Sequence, residues 1–262
     1  MLIKNLFLPI SAFTRSNFVA AGVSKMGMPT QEIVKSLLAY APLSLAESWD
    51  NVGLLVDPMS DSNVSTILLT NDLTEDVVDE AVNAKAGLIV SYHPNIFRGL
   101  KSVSASTWKE RIVVKCIKNE IAVFSPHTSW DCVEGGVNDW LASAFSFKGI
   151  RPINISVENP HQGAGRLLNL EVPLTVQEIV DKVKEKIGIK HLRLALARHK
   201  GADTLVSSVA LCAGSGSSVL KGVEADLYLT GEMLHHDILD ATQNGIHVIL
   251  CNHSDSERGF LK

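Results

Sequence analysis

The chain has 262 residues, 46% of them hydrophobic and 20% charged, with a net charge of −4. That length suits one large α/β domain or two intertwined smaller ones. The acidic balance and the absence of a lysine or arginine cluster argue against a direct nucleic-acid face, and no apolar run approaches the roughly 18 residues of a membrane span.

Residues 1–28 read as a leader. They carry Lys4, Arg15 and Lys25, and no acidic residue precedes Glu32. That is the composition of a mitochondrial transit peptide, or of an upstream extension to a chain starting at Met26 or Met28. Thr30 is placed to cap a first helix, with Glu32 in its first turn and Ile33, Val34, Leu37 and Leu38 as its apolar face. Thr66–Thr70 reads as a strand, and Thr74 caps the next helix. Leu88-Ile89-Val90 reads as a buried strand ending at Ser91-Tyr92-His93-Pro94. Thr107 and Glu110 form a capping box, and Ile121–Phe124 is a further buried strand ending at Ser125-Pro126-His127. Strands without polar alternation, separated by helices, predict a mostly parallel sheet covered on both faces.

A polar loop over 151–165 follows, then a helix with Thr175 and Glu178 as capping box and Gly188 as stop. His191–Leu196 alternates as a half-exposed strand would. Val209–Cys212 is a strand that runs into Gly214-Ser215-Gly216-Ser217-Ser218. That loop is either a tight turn or a cradle of N–H groups for an anion; it lacks the lysine of a P-loop. Ala225–Leu229 then matches Ala86–Val90, a helix runs from Leu234 to Gln243, and Ile246–Leu250 matches Ile121–Phe124. The expected fold is therefore α/β, with two similar intertwined α/β/α halves over 30–150 and 166–262 and mostly parallel sheets.

Three histidines lie just past the ends of apolar strands: His93, His127 and His253. Ligands of open α/β sheets bind at that edge. Asp131 follows His127 by four residues and Glu257 follows His253 by four, so each pair can face one ion. Imidazole nitrogen with carboxylate oxygen suits a divalent metal such as zinc, manganese or iron. A satisfied surface or core histidine is the bland alternative at each position. Glu232, at another strand end, is a candidate general base or a carboxylate supporting a ligand; a dipole-favoured first-turn glutamate explains it equally well. His235 and His236 open the helix after it, and His236 is the better placed of the two. The four cysteines, Cys116, Cys132, Cys212 and Cys251, show no C-x-x-C spacing and read as reduced thiols, with a minor role near the metal open for Cys132 and Cys251.

The strings ESWDNVGLLV (47–56), SYHPNIF (91–97), SPHTSWD (125–131), GSGSSVLKGVEADLYLTGEMLHHD (214–237) and NHSDSERGF (252–260) resemble the NIF-three-like family, also catalogued as GTP cyclohydrolase I type 2, and most of all its animal branch. The resemblance runs from about residue 30 to the C-terminus. It implies a site for one or two metal ions with His93, Asp131, His253 and Glu257 as ligands, Glu257 bridging. Tyr92 stands where the family pattern has a further histidine, which leaves one ion with His93, His253 and Glu257. The other keeps Asp131 and Glu257, with His127 as helper, supporting residue or proton carrier. The long insertion that the animal relatives carry between the halves is reduced here to the Asn154–Gly165 loop, and the family pattern continues with a helix and a final strand after the position where this sequence ends, at Lys262.

Two functions follow from the resemblance. One is a metal-dependent hydrolase of a small or phosphorylated substrate, with GTP ring opening as one proposed activity and His127, Glu232 and His236 as candidate catalytic groups. The other is a non-enzymatic partner of transcriptional co-regulators whose metal is structural or vestigial. The family also implies a homo-oligomer; the expected location is mitochondrial, from the leader, or cytoplasmic, with the nucleus as a further location.

Overall fold

The structure is a computed structural model that describes residues 2–4 and 27–262. Most of the leader, residues 1 and 5–26, lies outside the described residues. The chain divides into two compact units. One takes the residues up to Leu43 together with Trp49–His127; the other takes Ser44–Ser48 and Thr128–Lys262. The chain thus passes between the units more than once.

The first unit is built on a five-stranded sheet. At its centre β3 (Thr66–Thr70), β4 (Leu88–Ser91) and β5 (Ala122–Ser125) run parallel in chain order. β1 (Leu2–Lys4) adds antiparallel to β3, and β2 (Gly53–Val56) antiparallel to β5. Every residue of β4 and β5 is buried, which is why both runs are apolar without alternation. α2 (Glu75–Asn83) and α3 (Trp108–Lys118) bury Val78, Ala81, Ile112 and Cys116 against Ile89 and Val123. Thr74 and the Thr107–Glu110 box cap them as expected. Thr30 does not cap α1 (Thr30–Tyr40); it is the first helical residue, and Pro29 occupies the cap. Met28 is bridged to Val64, so the backbone stays extended through Pro29 and enters the helix directly after it.

The second unit repeats the plan with a six-stranded sheet. β11 (Leu205–Ser215), β12 (Leu227–Glu232) and β13 (His247–Leu250) form the parallel centre, again in chain order. β10 (Arg193–Ala195) flanks β13, while β9 (Arg166–Thr175) and then β6 (Phe147–Arg151) continue beyond β11, all antiparallel. Both sheets are thus parallel at their centres and antiparallel at their edges, and the matched strands 86–90 and 225–229 are the middle strands of the two parallel triplets. The 151–165 segment contains a short ribbon, β7 (Asn154–Ile155) against β8 (Gly163–Ala164). α6 (Val176–Ile187) has its capping box at Thr175 and Glu178 and ends at Gly188, whose φ of +79° suits a residue without a side chain.

The division between the units falls at His127/Thr128. Arg166, 1% exposed, donates to both carboxylate oxygens of Asp139 (2.7 and 2.9 Å) and to the carbonyls of Val133, Gly163 and Gly165. Asn138, fully buried, donates to the Asp131 carbonyl and accepts from the Ala213 amide. Together these bonds fasten α4 (His127–Cys132) and α5 (Val137–Ala142) to β9 and β11 of the second sheet.

Breaking a buried, fully bonded ion pair from one side leaves its partner uncompensated, so Arg166→Ala should lower the unfolding free energy by about 3 kcal/mol in denaturant titration. An unchanged midpoint would remove Arg166 from this role. His247 is fully buried in β13; its Nδ1 accepts from the Ala197 amide, and burial, with Lys200 adding to it, holds its pKa below the ordinary 6.5. The unfolded chain therefore takes up the proton first. Stability from this group is complete above about pH 6.5 and is lost as the pH falls below it. The thermal midpoint should drop between pH 7 and pH 5, and His247→Gln should flatten that drop.

Candidate metal centre

In the first unit the ladder itself carries His93 to the sheet edge. The amides of Tyr92 and His93 donate to the carbonyls of Thr70 and Asn71 (both 2.9 Å), and the Ser91 hydroxyl donates to the His93 carbonyl (2.6 Å). The imidazole Nδ1 lies 2.8 Å from Asp72 Oδ1. His127 follows β5 with a φ of +29°, which side-chain-bearing residues rarely adopt. Its amide and the Ser125 hydroxyl both donate to the Tyr92 carbonyl, and its Nδ1 lies 2.8 Å from Asp50 Oδ1, a carboxylate with no solvent exposure. The rings of His93 and His127 stand 5.2 Å apart, with the buried Tyr92 ring packed on both.

The second unit presents its histidine in the same way. Asn252, at φ +67°, turns the chain out of β13 and into His253. His253 Nδ1 lies 3.1 Å from Glu232 Oε2 at the end of β12. An ionised carboxylate only accepts, so in all three pairs the shared proton sits on Nδ1, which leaves Nε2 as the atom available to a metal. His253 Nε2 lies 3.2 Å from Oε1 of Glu257, a residue only 3% exposed. Two ligands of one tetrahedral ion, each about 2.1 Å from it, stand about 3.4 Å apart, so the spacing fits a shared metal.

Gly214 keeps that space open. A Cβ there would come within 2.4 Å of Glu257 Oε1 and 3.1 Å of His253 Nε2, and the glycine takes a φ of +65°. The glycine-serine loop is a structural turn: its Gly214 amide donates to Ser256 Oγ (2.8 Å) and its Gly216 amide to Thr230 Oγ1 (3.0 Å). These N–H groups are committed inside the protein, which argues against the anion cradle.

In the second unit His253 and Glu257 offer an ion one imidazole nitrogen and one carboxylate oxygen, and in the first unit His93 offers an imidazole nitrogen. Asp131 is not one of this group; its half-buried side chain sits on α4, whose position Asn138 sets. Glu232 is engaged as the partner of His253. His236 is exposed in the first turn of α8 (His235–Gln243), with its ring 5.3 Å from that of His235. The cysteines stay protonated: burial, with the Asp131 charge adding to it, pushes the Cys132 thiol up to about 12, and burial pushes that of Cys251 up to about 12 as well. Reading the sequence missed Asp50 and Asp72 as imidazole partners. Both lie in loops at the same strand edge as the histidines they hold. Asn95, between His93 and Phe97, went unnoticed too; it is 4% exposed, with no hydrogen-bond partner on either carboxamide atom.

Residues 28–262 match the model of the family described as Duf34/NIF3 (NGG1p interacting factor 3). The chain belongs to this family. It is 48% identical to NIF3-like protein 1 of Drosophila melanogaster, across 90% of this chain and 80% of the relative. It is 38% identical to NGG1-interacting factor 3 of Saccharomyces cerevisiae, across 88% and 87%. A crystal structure of the Staphylococcus aureus hypothetical protein SA1388 superimposes with a TM-score of 0.75 at 28% identity, covering 88% of this chain and 87% of that one.

A carboxylate that orients a ligand imidazole typically contributes 10–100-fold to metal affinity in such sites. Glu232→Gln in this Duf34/NIF3 protein should therefore weaken zinc binding by about that factor in a competitive chelator titration, with its circular dichroism unchanged. Wild-type affinity in the variant would remove Glu232 from the site.

Proposed function

We propose that this chain is a divalent-metal-dependent hydrolase acting on a small or phosphorylated substrate. One observation carries the reading most directly. The His253 and Glu257 ligand atoms converge at 3.2 Å over a glycine that leaves room for nothing larger, while Glu232 holds the imidazole in the ligating tautomer. His93, held the same way by Asp72, is the third ligand. Asp131 and Glu257 offer carboxylate oxygens to a second ion, with Tyr92 in place of a further nitrogen ligand. The donor set of imidazole and carboxylate accepts zinc, manganese or iron.

A metal ion bound there would acidify its water and polarise the group to be cleaved. The protein's own groups supply the rest. Asp72 and Glu232 keep Nδ1 protonated on His93 and His253. His127, locked to the fully buried Asp50, has its Nε2 free of that bond and can move a proton between water and leaving group. The ring opening of GTP is one reaction of this class.

A second reading draws on the name of the yeast relative, NGG1-interacting factor 3. That likeness supports a chain that binds a protein partner such as a transcriptional co-regulator; in this reading we propose a homo-oligomer in the cytoplasm or nucleus whose metal is structural. The leader composition supports a mitochondrial location as the alternative.

Metal analysis by mass spectrometry, together with a turnover screen on nucleotides and phosphodiesters, tests the enzymatic reading. Wild type should bind zinc, manganese or iron and turn over a member of the panel; His93→Ala should lose about tenfold or more in metal affinity, and Glu257→Ala should lose turnover. Turnover indifferent to Glu257→Ala would sink the enzymatic reading. Co-regulator capture indifferent to both substitutions would favour the second.

A further inference from the structure

The second unit carries a groove to which neither His253 nor Glu257 contributes. It lies between α8 and the stretch that runs from α7 (Ser217–Leu220) into β12, and it encloses about 700 Å³, the size of a small-molecule site. Its floor is the outer side of this unit's core. Tyr228 and Ala241 belong to that core, and Val223, Met233 and Ile246 pack against it.

The charge round the floor is one-sided. Asp237 and Asp240 line the groove from α8, three residues apart and so on one helical face. Glu224 and Asp226 line it from the chain entering β12. The cation among the lining residues is Lys221, whose Nζ lies 3.9 Å from Asp237 Oδ1 and whose side chain is 73% exposed. An exposed pair at that distance contributes little. Glu224 and Asp240 have no side-chain hydrogen bond or ion pair among the described residues. Asp226 is anchored through Oδ2, which accepts from the Ser207 and Ser208 amides and from the Ser208 hydroxyl. Four carboxylates thus surround an apolar floor with one cation between them. A single metal ion does not suit them, because among the described residues no three ligand atoms converge here. Two positive charges joined by an apolar stretch do suit them.

We propose that this groove binds an aliphatic diamine, one ammonium against the α8 carboxylates, the other against Glu224 and Asp226, and the methylene chain over Tyr228 and Met233. The methylenes take apolar floor out of water while the ammonium groups offset the carboxylates. A monoamine satisfies one set of carboxylates alone, and an inorganic dication leaves the floor bare. The assignment stands apart from the metal-dependent reading, since no metal ligand lines the groove.

The test is an NMR titration of the full chain carrying isotope-labelled methionine methyl groups. The probes are cadaverine, pentylamine, magnesium chloride and tetralysine. Cadaverine should shift the Met233 methyl signal and leave that of the exposed Met59, outside the groove, in place. It should bind about fivefold tighter than pentylamine, the ratio that one further exposed ion pair can give. Asp240→Asn and Glu224→Gln should each bring that ratio towards one. Glu158→Gln, the same change of charge at an exposed position outside the groove, should not. Asp240 and Glu224 are both exposed, so each variant should keep the wild-type thermal midpoint, and either one suffices if the other folds poorly. Equal binding of cadaverine and pentylamine, a Met233 signal that stays in place, or a preference that survives both substitutions would overturn the proposal. A Met233 shift that magnesium reproduces at equal concentration would do the same, leaving only general attraction of cations. Tetralysine binding tighter than cadaverine would also overturn it, by making the groove a docking surface for a basic peptide.

Discussion

Three imidazoles stand just past the ends of buried strands, and in each the Nδ1 atom is held by a carboxylate: His93 by Asp72, His127 by Asp50, His253 by Glu232. A histidine side chain has two rotatable bonds and two alternative protonated nitrogens. One carboxylate at Nδ1 fixes which nitrogen carries the shared proton and restricts the rotation together, and it turns Nε2 away from the carboxylate that holds the ring. The strand ends are built to make these pairings possible. His127 and Asn252 adopt positive φ values, and the Tyr92 carbonyl accepts from both the His127 amide and the Ser125 hydroxyl. Strain at two such positions within one kind of turn is what a functional edge looks like when the rest of the fold is regular.

The second unit's own histidine rests on a further set of bonds in that unit's interior. Arg166 would be costly to bury alone, and its five hydrogen bonds to Asp139, Val133, Gly163 and Gly165 offset the desolvation. Asn138 does the same for the Asp131 carbonyl and the Ala213 amide. Between them they hold α4, which carries Asp131, and the strand that runs into Gly214. The chemistry at Glu257 and His253 depends on that strand, because Gly214 takes the one backbone conformation and the one side-chain size that leave the ligand atoms room.

Much of this was legible in the amino-acid sequence. Leu88–Val90, Ile121–Phe124, Val209–Cys212 and Ile246–Leu250 read as buried parallel strands because they lack polar alternation. The capping boxes at Thr107 and Thr175 read directly, because both partners lie three residues apart. The histidines at strand ends stood out by position alone. The antiparallel edges did not, because β1, β2, β6 and β10 are only three to five residues long. The bond by which Arg166 reaches back 27 residues to Asp139 was not legible either. Asp50 lies 77 residues from His127 and Asp72 21 from His93, and nothing in local sequence marks either as a partner.

The sequence by itself determined the class of fold, its internal duplication, the order of the central strands and the residue types able to bind a metal, since periodicity and capping act over a few residues. Only the tertiary structure decided which carboxylate orients which imidazole, and that the glycine-serine loop clears space for Glu257 and spends its N–H groups internally. Each of these is a distance of a few ångströms between residues far apart in the chain, and such distances come into being when the sheets close.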